Sequence, residues 1–158
     1  MAQKIITASE VVAMAFSDGA YIAADAISDA DIEAAIERWV VPVTGRKLLQ
    51  AVERGSYSEM SNSYLKPCVA AFTRLMVQPR LSAVTSQLGV AAPASSSHKS
   101  ADESMRRELM ASLRVRAKAL RRRLSNYLDE NGRQMAEYNS EDNVLNRCSC
   151  DGGIVQIL

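Results

Sequence analysis

The sequence predicts an all-α protein of four to five helices, one of them long, basic and near the C-terminus, followed by a short β-prone tail. Three observations carry that prediction. Apolar residues return every three or four positions in several separate segments, which is the period of an amphipathic helix and not the alternation of a strand. Thr7-Ala8-Ser9-Glu10 and Ser100-Ala101-Asp102-Glu103 both have the capping-box spacing that opens a helix. Only the terminal "GGIVQIL" is β-prone.

The elements follow in order. After the first capping box, Val11, Val12, Met14, Ala15 and Phe16 predict a helix over about 8–16, stopped by Asp18-Gly19. Ser28 or Asp29 caps a second helix, whose Asp29, Asp31 and Glu33 suit the positive end of the helix dipole. Ile32, Ala35, Ile36, Trp39 and Val40 form its apolar face, and Pro42 with Gly45 predicts a break or kink. A further helical piece runs from Arg46 to about Arg54 and ends at Gly55. Residues 56–62 read as a turn. A third helix is expected over 63–87, with Leu65, Val69, Phe72 and Met76 on one face, a kink at Pro79 and a cap at Gly89. "VAAPASSSHKS" reads as a connector. The long helix then runs from the second capping box to about residue 130, closed by Asn131-Gly132. The expected organisation is a helical body over 1–132, with a flexible loop at 90–100, and a tail over 133–158 that could serve for docking.

A chain of 158 residues is most simply one domain, long enough to bury roughly 70% of the surface it exposes when unfolded. A net charge of +1 gives no global pull toward nucleic acid or membranes. Its distribution is uneven: residues 1–60 carry nine acids and five bases, residues 61–130 twelve bases and five acids. Three cysteines, Cys68, Cys148 and Cys150, do not make a secreted disulfide framework. "IITASEVVAMAF" ends in a small-x-small pattern, but Thr7, Ser9 and Glu10 interrupt it and only Lys4 precedes it, a poor signal peptide. No apolar run has the length of a membrane span. The expectation is a protein of the reducing cytoplasm.

"MRRELMASLRVRAKALRRRLSNYL" holds eight of the nineteen Lys and Arg within eighteen residues. At about 100° per residue, Leu109, Leu113, Ala117, Leu120, Leu124, Tyr127 and Leu128 share an arc of about 100° that faces a core. Arg107, Arg114, Lys118, Arg121 and Arg122 are expected on the solvent side, with Arg116 and Arg123 flanking the stripe. This is a solvated face, an assembly surface or a DNA-facing surface. Base-edge readers such as Asn and Gln are scarce here, and no aromatics interleave with the arginines to stack bases.

No catalytic residue, cofactor or metal is predicted. His98 stands in the connector with no nucleophile or acid at triad spacing. Cys148-Ser149-Cys150 has only Cys68 and His98 to complete a zinc set, so free thiols are expected. Asp25, Asp29 and Asp31 lack the glycine and distal Glu of a calcium loop. Phosphate loops and nucleophile elbows are missing too. The tail residues Ile154, Val155, Ile157 and Leu158 are expected either to dock as a lone strand, which needs an edge, or to stay disordered.

The order of these segments, "IITASEVVAMAF", "ISDADIEAAIERWVVPVTGRKLLQAV", "SYLKPCVAAFTRLMVQPRLS", a loop and then an Arg-rich helix, resembles the head-to-tail connector (adaptor) proteins of tailed bacteriophages and related prophage proteins. The likeness covers roughly residues 4–132. It implies a non-enzymatic, all-helical subunit that assembles with itself in a ring, often of twelve copies, beneath the portal, with tail-side proteins below and the genome passing through. It also implies assembly in the host cytoplasm and then a place in the virion, with no membrane partner. The long connector and the cysteine-bearing tail depart from that pattern. The alternative is a small helical DNA-binding regulator using residues 105–123.

Overall fold

The computed structural model describes residues 4–17, 22–87, 96–151 and 154–157, with side chains over 4–17, 22–82 and 103–147. Within them the chain forms five helical rods. The first, α1, is Ala8–Ala15, opened by the expected capping box: Thr7 Oγ1 accepts from the Glu10 backbone and the Glu10 carboxylate accepts from the Thr7 N–H. The second, α2, begins at Asp29–Ala35 behind a second such box, Ser28 with Asp31. It passes through a π turn at Ile36–Val40 and resumes over Val41–Thr44. The third, α3, is Arg46–Glu53. The fourth, α4, starts at Ser58–Met60, widens into a π turn at Ser61–Leu65 and runs on over Lys66–Gln87. The fifth, α5, is Ser96–Asn131.

Two of these rods carry a proline and continue past it, one of them at Pro42 where the sequence predicts a break, and both for one reason. Proline cannot donate to the carbonyl four residues back, and its ring crowds that carbonyl. Ahead of Pro42 the Val41 N–H bonds instead to the carbonyl of Ile36, and ahead of Pro67 the Lys66 N–H bonds to that of Ser61. Each is a five-residue step that inserts one extra residue and lets the helix pass the proline. The break predicted at Pro42–Gly45 therefore falls at Gly45 alone, where φ is +75°. The stretch 56–62, read as a turn, is mostly the first part of α4. The true turn lies just before it: α3 ends in a Schellman motif, with Gly55 at φ +92° and the Ser56 N–H on the Ala51 carbonyl. Likewise α5 opens at Ser96, so Ser100 lies inside the helix and does not cap it. The connector is shorter than its composition suggests.

The core is built around α4, which touches α1, α2 and α5. Seven consecutive residues of it, Cys68 through Arg74, are buried, so this stretch is covered on every side. Val11, Ala15 and Phe16 cover it from α1, Ile32, Ala35, Val40 and Val43 from α2, and Ala117, Leu124 and Leu128 from α5. Trp39 stacks on Phe72 with ring centroids 4.9 Å apart. Phe16, Ile32, Val69, Phe72, Leu113 and Leu124 are buried as the sequence predicts, whereas Ile36, Trp39 and Leu120 are half-buried at its edge.

Beyond α5 the chain does not leave the body at residue 132. Residues 133–147 fold back on it, with Met135 and Asn143 buried. Asn143 Nδ2 donates to Ser125 Oγ at 2.8 Å and to Tyr138 Oη at 3.0 Å, and its Oδ1 accepts from the Leu145 N–H at 3.0 Å. Asp129 accepts from Tyr138 Oη and Asn146 Nδ2, and the Val144 N–H reaches the Pro42 carbonyl at 3.0 Å. This clasp ties the end of α5 to the end of α2. The last described elements are the strands β1, Cys148–Asp151, and β2, Ile154–Ile157. None of the described helices is long and apolar enough to cross a membrane.

Candidate interaction surfaces

The apolar stripe of α5 faces the body. Leu113, Ala117, Leu124 and Leu128 are buried, and Leu109, Leu120 and Tyr127 are half-buried. The opposite face carries Arg107, Arg114, Lys118 and Arg122, all exposed. Arg107 pairs with Glu103 one turn back. Among the described residues Arg114, Lys118 and Arg122 have no ion-pair partner, and they stand one above the other at i, i+4 spacing. Beside this row lies Val115, 70% exposed, flanked on its own i±4 ridge by exposed Ala111 and Ala119. Met105, 68% exposed, is a second exposed apolar side chain nearer the start of the helix, on a different side from that ridge. The face is thus a mixed one, basic with an apolar ridge.

The flanking arginines remain exposed but reach back to their own subunit. The Arg123 guanidinium lies 4.8 Å from the Tyr64 ring centre, and Tyr64 stacks on Tyr127 at 4.2 Å. Arg116 Nη2 approaches the Met14 carbonyl of α1 at 3.4 Å. Both contacts hold α5 to its own subunit. Arg121, predicted to face solvent, is half-buried instead. Its guanidinium lies 5.6 Å from the centre of the Phe72 ring, and its Nε is buried without a hydrogen-bond partner. The reason is geometric: seven residues turn the helix by about 700°, which sets Arg121 only about 20° beyond Leu128 at the stripe's edge. It belongs to the packing.

One buried charge escaped the sequence altogether. Arg74, 3% exposed, sits inside "CVAAFTRLM", lies 4.6 Å from the Phe16 ring centre and donates to the carbonyl of Ala15. That carbonyl belongs to the negative end of α1, which a cation suits. Its only sequence signal is an arginine within an otherwise apolar turn. Arg74 and Arg116 also border a cavity of about 90 Å³ between α1, α4 and α5, otherwise walled by side chains such as Met14, Ala71 and Leu113. That volume suits a few water molecules, not a cofactor.

The acids of the N-terminal half are partly used within the subunit. A hydrogen bond from Arg80, helped by Ser28, holds the Asp31 carboxyl at about 2, while Lys66 and then Thr7 lower that of Glu10. Asp29 pairs with Lys4 and Glu37 with Arg46, both on the surface. Burial pushes the Cys68 thiol up to about 12, an unreactive, packed side chain. Among the described residues no three His, Cys, Asp or Glu side chains cluster as a metal site. The side chains of His98, Cys148 and Cys150 lie outside those described, as do the Ser100–Asp102 part of the second capping box and Gly89.

The terminal strand is not alone. β2, which holds Ile154, Val155 and Ile157, pairs antiparallel with β1 in the register Cys148↔Ile157, Cys150↔Val155 and Asp151↔Ile154. The edge it needed is supplied by "CSCD" of the same chain. Leu158 lies outside the described residues.

Residues 24–147 match DUF6712, a family of unknown function. The chain belongs to the DUF6712 family. The DUF6712 match runs from the short 3₁₀ turn ahead of α2 to the last residue of the clasp, and so takes in the basic face of α5 and residues 133–147 together. No curated protein and no solved structure matches the chain.

Proposed function

We propose that this protein is a non-enzymatic structural subunit that assembles with copies of itself, in the manner of the phage head-to-tail connectors its helix order resembles. In that role it forms a ring beneath the portal, meets tail-side proteins, lets the genome pass, and moves from host cytoplasm to virion. The observation that carries the reading is the outward face of α5, where three cations without partners in the described subunit flank a 70%-exposed Val115. Isolated exposed apolar residues are ordinary, but an apolar ridge alongside a row of unneutralised charge has the composition of a contact surface. The same cations favour a second reading, a DNA-binding regulator that uses residues 105–123.

Sedimentation velocity of the full chain from micromolar to about millimolar concentration, paired with a salt titration of random duplex DNA, separates the two. A closed oligomer with weak DNA binding supports the subunit reading. A monomer at every concentration, binding duplex with a log–log salt slope near −3 for three neutralised phosphates, overturns it in favour of the regulator.

A further inference from the structure

Two outward-facing ridges of opposite charge run along different helices of this subunit. On α5 the bases Arg114, Lys118 and Arg122 recur every four residues, beside the exposed Ala111, Val115 and Ala119. On the first half of α2 the acids Asp29, Glu33 and Glu37 also recur every four residues, extended by Asp25 in the preceding turn and lying beside the exposed Ala30 and Ala34. Each charged row spans about 12 Å at a rise of about 1.5 Å per residue, so the charges repeat with the same step of about 6 Å on both helices.

The two rows cannot meet within one subunit. The Ile32 and Ala35 side of α2 packs on the body, as does the Leu113, Ala117 and Leu124 side of α5. The charged rows occupy the opposite sides. Two of the acids, Asp29 and Glu37, hold Lys4 and Arg46, but every partner in those pairs is more than half exposed. Such pairs contribute little and exchange readily for another cation. Among the described residues Glu33 and Asp25 have no ion-pair partner.

We propose that the basic face of α5 docks on the Asp25–Glu37 face of α2 in a second copy of this chain. The inference rests on the assembly reading above and assigns the two surfaces that meet. The Ala111–Val115–Ala119 ridge fits beside the Ala30–Ala34 ridge, both running along i±4 rows, the commonest helix-packing arrangement. Alanine on both sides allows close approach, and the flanking charges fix the register. DNA is the poorer occupant because the Ala111–Val115–Ala119 ridge beside the cations offers a phosphate nothing. The contact joins unlike surfaces, so it repeats head to tail and closes into a ring wherever the rotation per step permits.

The test is a charge exchange read by sedimentation velocity of the full chain, with circular dichroism confirming that each variant keeps its helix content. Arg114→Glu/Lys118→Glu/Arg122→Glu and Glu33→Lys/Glu37→Lys should each raise the concentration for half-assembly more than about tenfold, and added salt should weaken the wild-type contact. An equimolar mixture of the two variants should restore assembly, because alternating copies again present opposite charges at every contact. If the α5 variant loses helix content, Arg114→Gln/Lys118→Gln/Arg122→Gln replaces it with the same expected direction. Wild-type assembly that neither variant disturbs overturns this pairing and leaves the subunit reading standing. So does a mixture that fails to restore assembly, or an α5 variant that loses only DNA binding. A wild-type chain that stays monomeric overturns both.

Discussion

Replacing Asn143 by Ala tests whether residues 133–147 belong to the cooperative body. The side chain is fully buried and makes three hydrogen bonds, to Ser125, Tyr138 and the Leu145 N–H, at 2.8–3.0 Å. A typical intramolecular hydrogen bond is worth about 1 kcal/mol net, and a buried group left unpaired costs about 1–3 kcal/mol. Tyr138 keeps Asp129 as a partner, so its loss is partial. Ser125, itself fully buried, loses the donor to its hydroxyl oxygen, and the Leu145 N–H loses its acceptor. The sum is about 3 kcal/mol of destabilisation, which for a chain of this length lowers Tm by about 6–12 °C. The assay is thermal unfolding followed by circular dichroism at 222 nm, with urea titration as a check on the m-value. A Tm within about 1 °C of wild type, with a single transition in both proteins, would refute the reasoning. It would mean that the clasp forms and opens independently of the helices.

Three further outcomes follow from packing and charge. Phe72→Ala removes a ring that touches both Trp39 and Arg121 and should cost about 3–5 kcal/mol, with a change in Trp39 fluorescence; a shift below about 1 kcal/mol would mean the core lies elsewhere. The Asp31 carboxyl, at about 2 in the folded chain against 3.8 as its ordinary value, is a depressed acid. It therefore stabilises the fold above about pH 4 and loses that contribution as pH falls toward about 2. Asp31→Asn should flatten the dependence of the urea midpoint on pH in that window, and an unchanged slope would contradict the Arg80 contact. Gly132→Ala places a methyl group in the Tyr138 ring, so the ring must shift off Asp129 at a cost of about 1–3 kcal/mol, measured by the same urea titration; a neutral result would mean the ring is free to move.

The parts of this fold that were legible share one property: a local pattern decides them. The stripe on α5, the capping box of α1 and the Ser28 cap of α2 depend on residues within one or two turns of each other. What was not legible depends on partners far along the chain. The period of Leu65, Val69, Phe72 and Met76 marks one face of α4, but nothing local marks that residues 68–74 are covered from several sides at once. Arg74 reads as a surface residue until α1, fifty-nine positions away, supplies its carbonyl. The π turns before Pro42 and Pro67 add one residue each, too small a change for a seven-residue pattern to reveal. The clasp packs only a few apolar residues against the core, Met135, Tyr138 and Leu145, at no regular spacing, so its burial has no periodic signature.

The charge asymmetry of the sequence also changes meaning once it is placed on the helices. Nine acids in residues 1–60 suggest a uniformly acidic half. Yet Glu10 and Asp31 are taken up by the first turns of α1 and α2 and by lysine and arginine side chains of α4, where they lock helix ends to the core. Those two cannot serve a neighbour without loosening the body. The acids that can are the ones turned outward at every fourth residue of α2, held only by exposed partners. The same sorting applies to α5: Arg121 packs against Phe72, Arg116 and Arg123 stay exposed but reach back to Met14 and Tyr64 of their own subunit, and Arg114, Lys118 and Arg122 stand on the outer face. Counting charges by segment overstates both surfaces. Removing those that the fold itself consumes leaves two short rows of equal spacing and opposite sign, and it is on these that the specificity of the proposed contact between copies would rest, although the whole chain is nearly neutral.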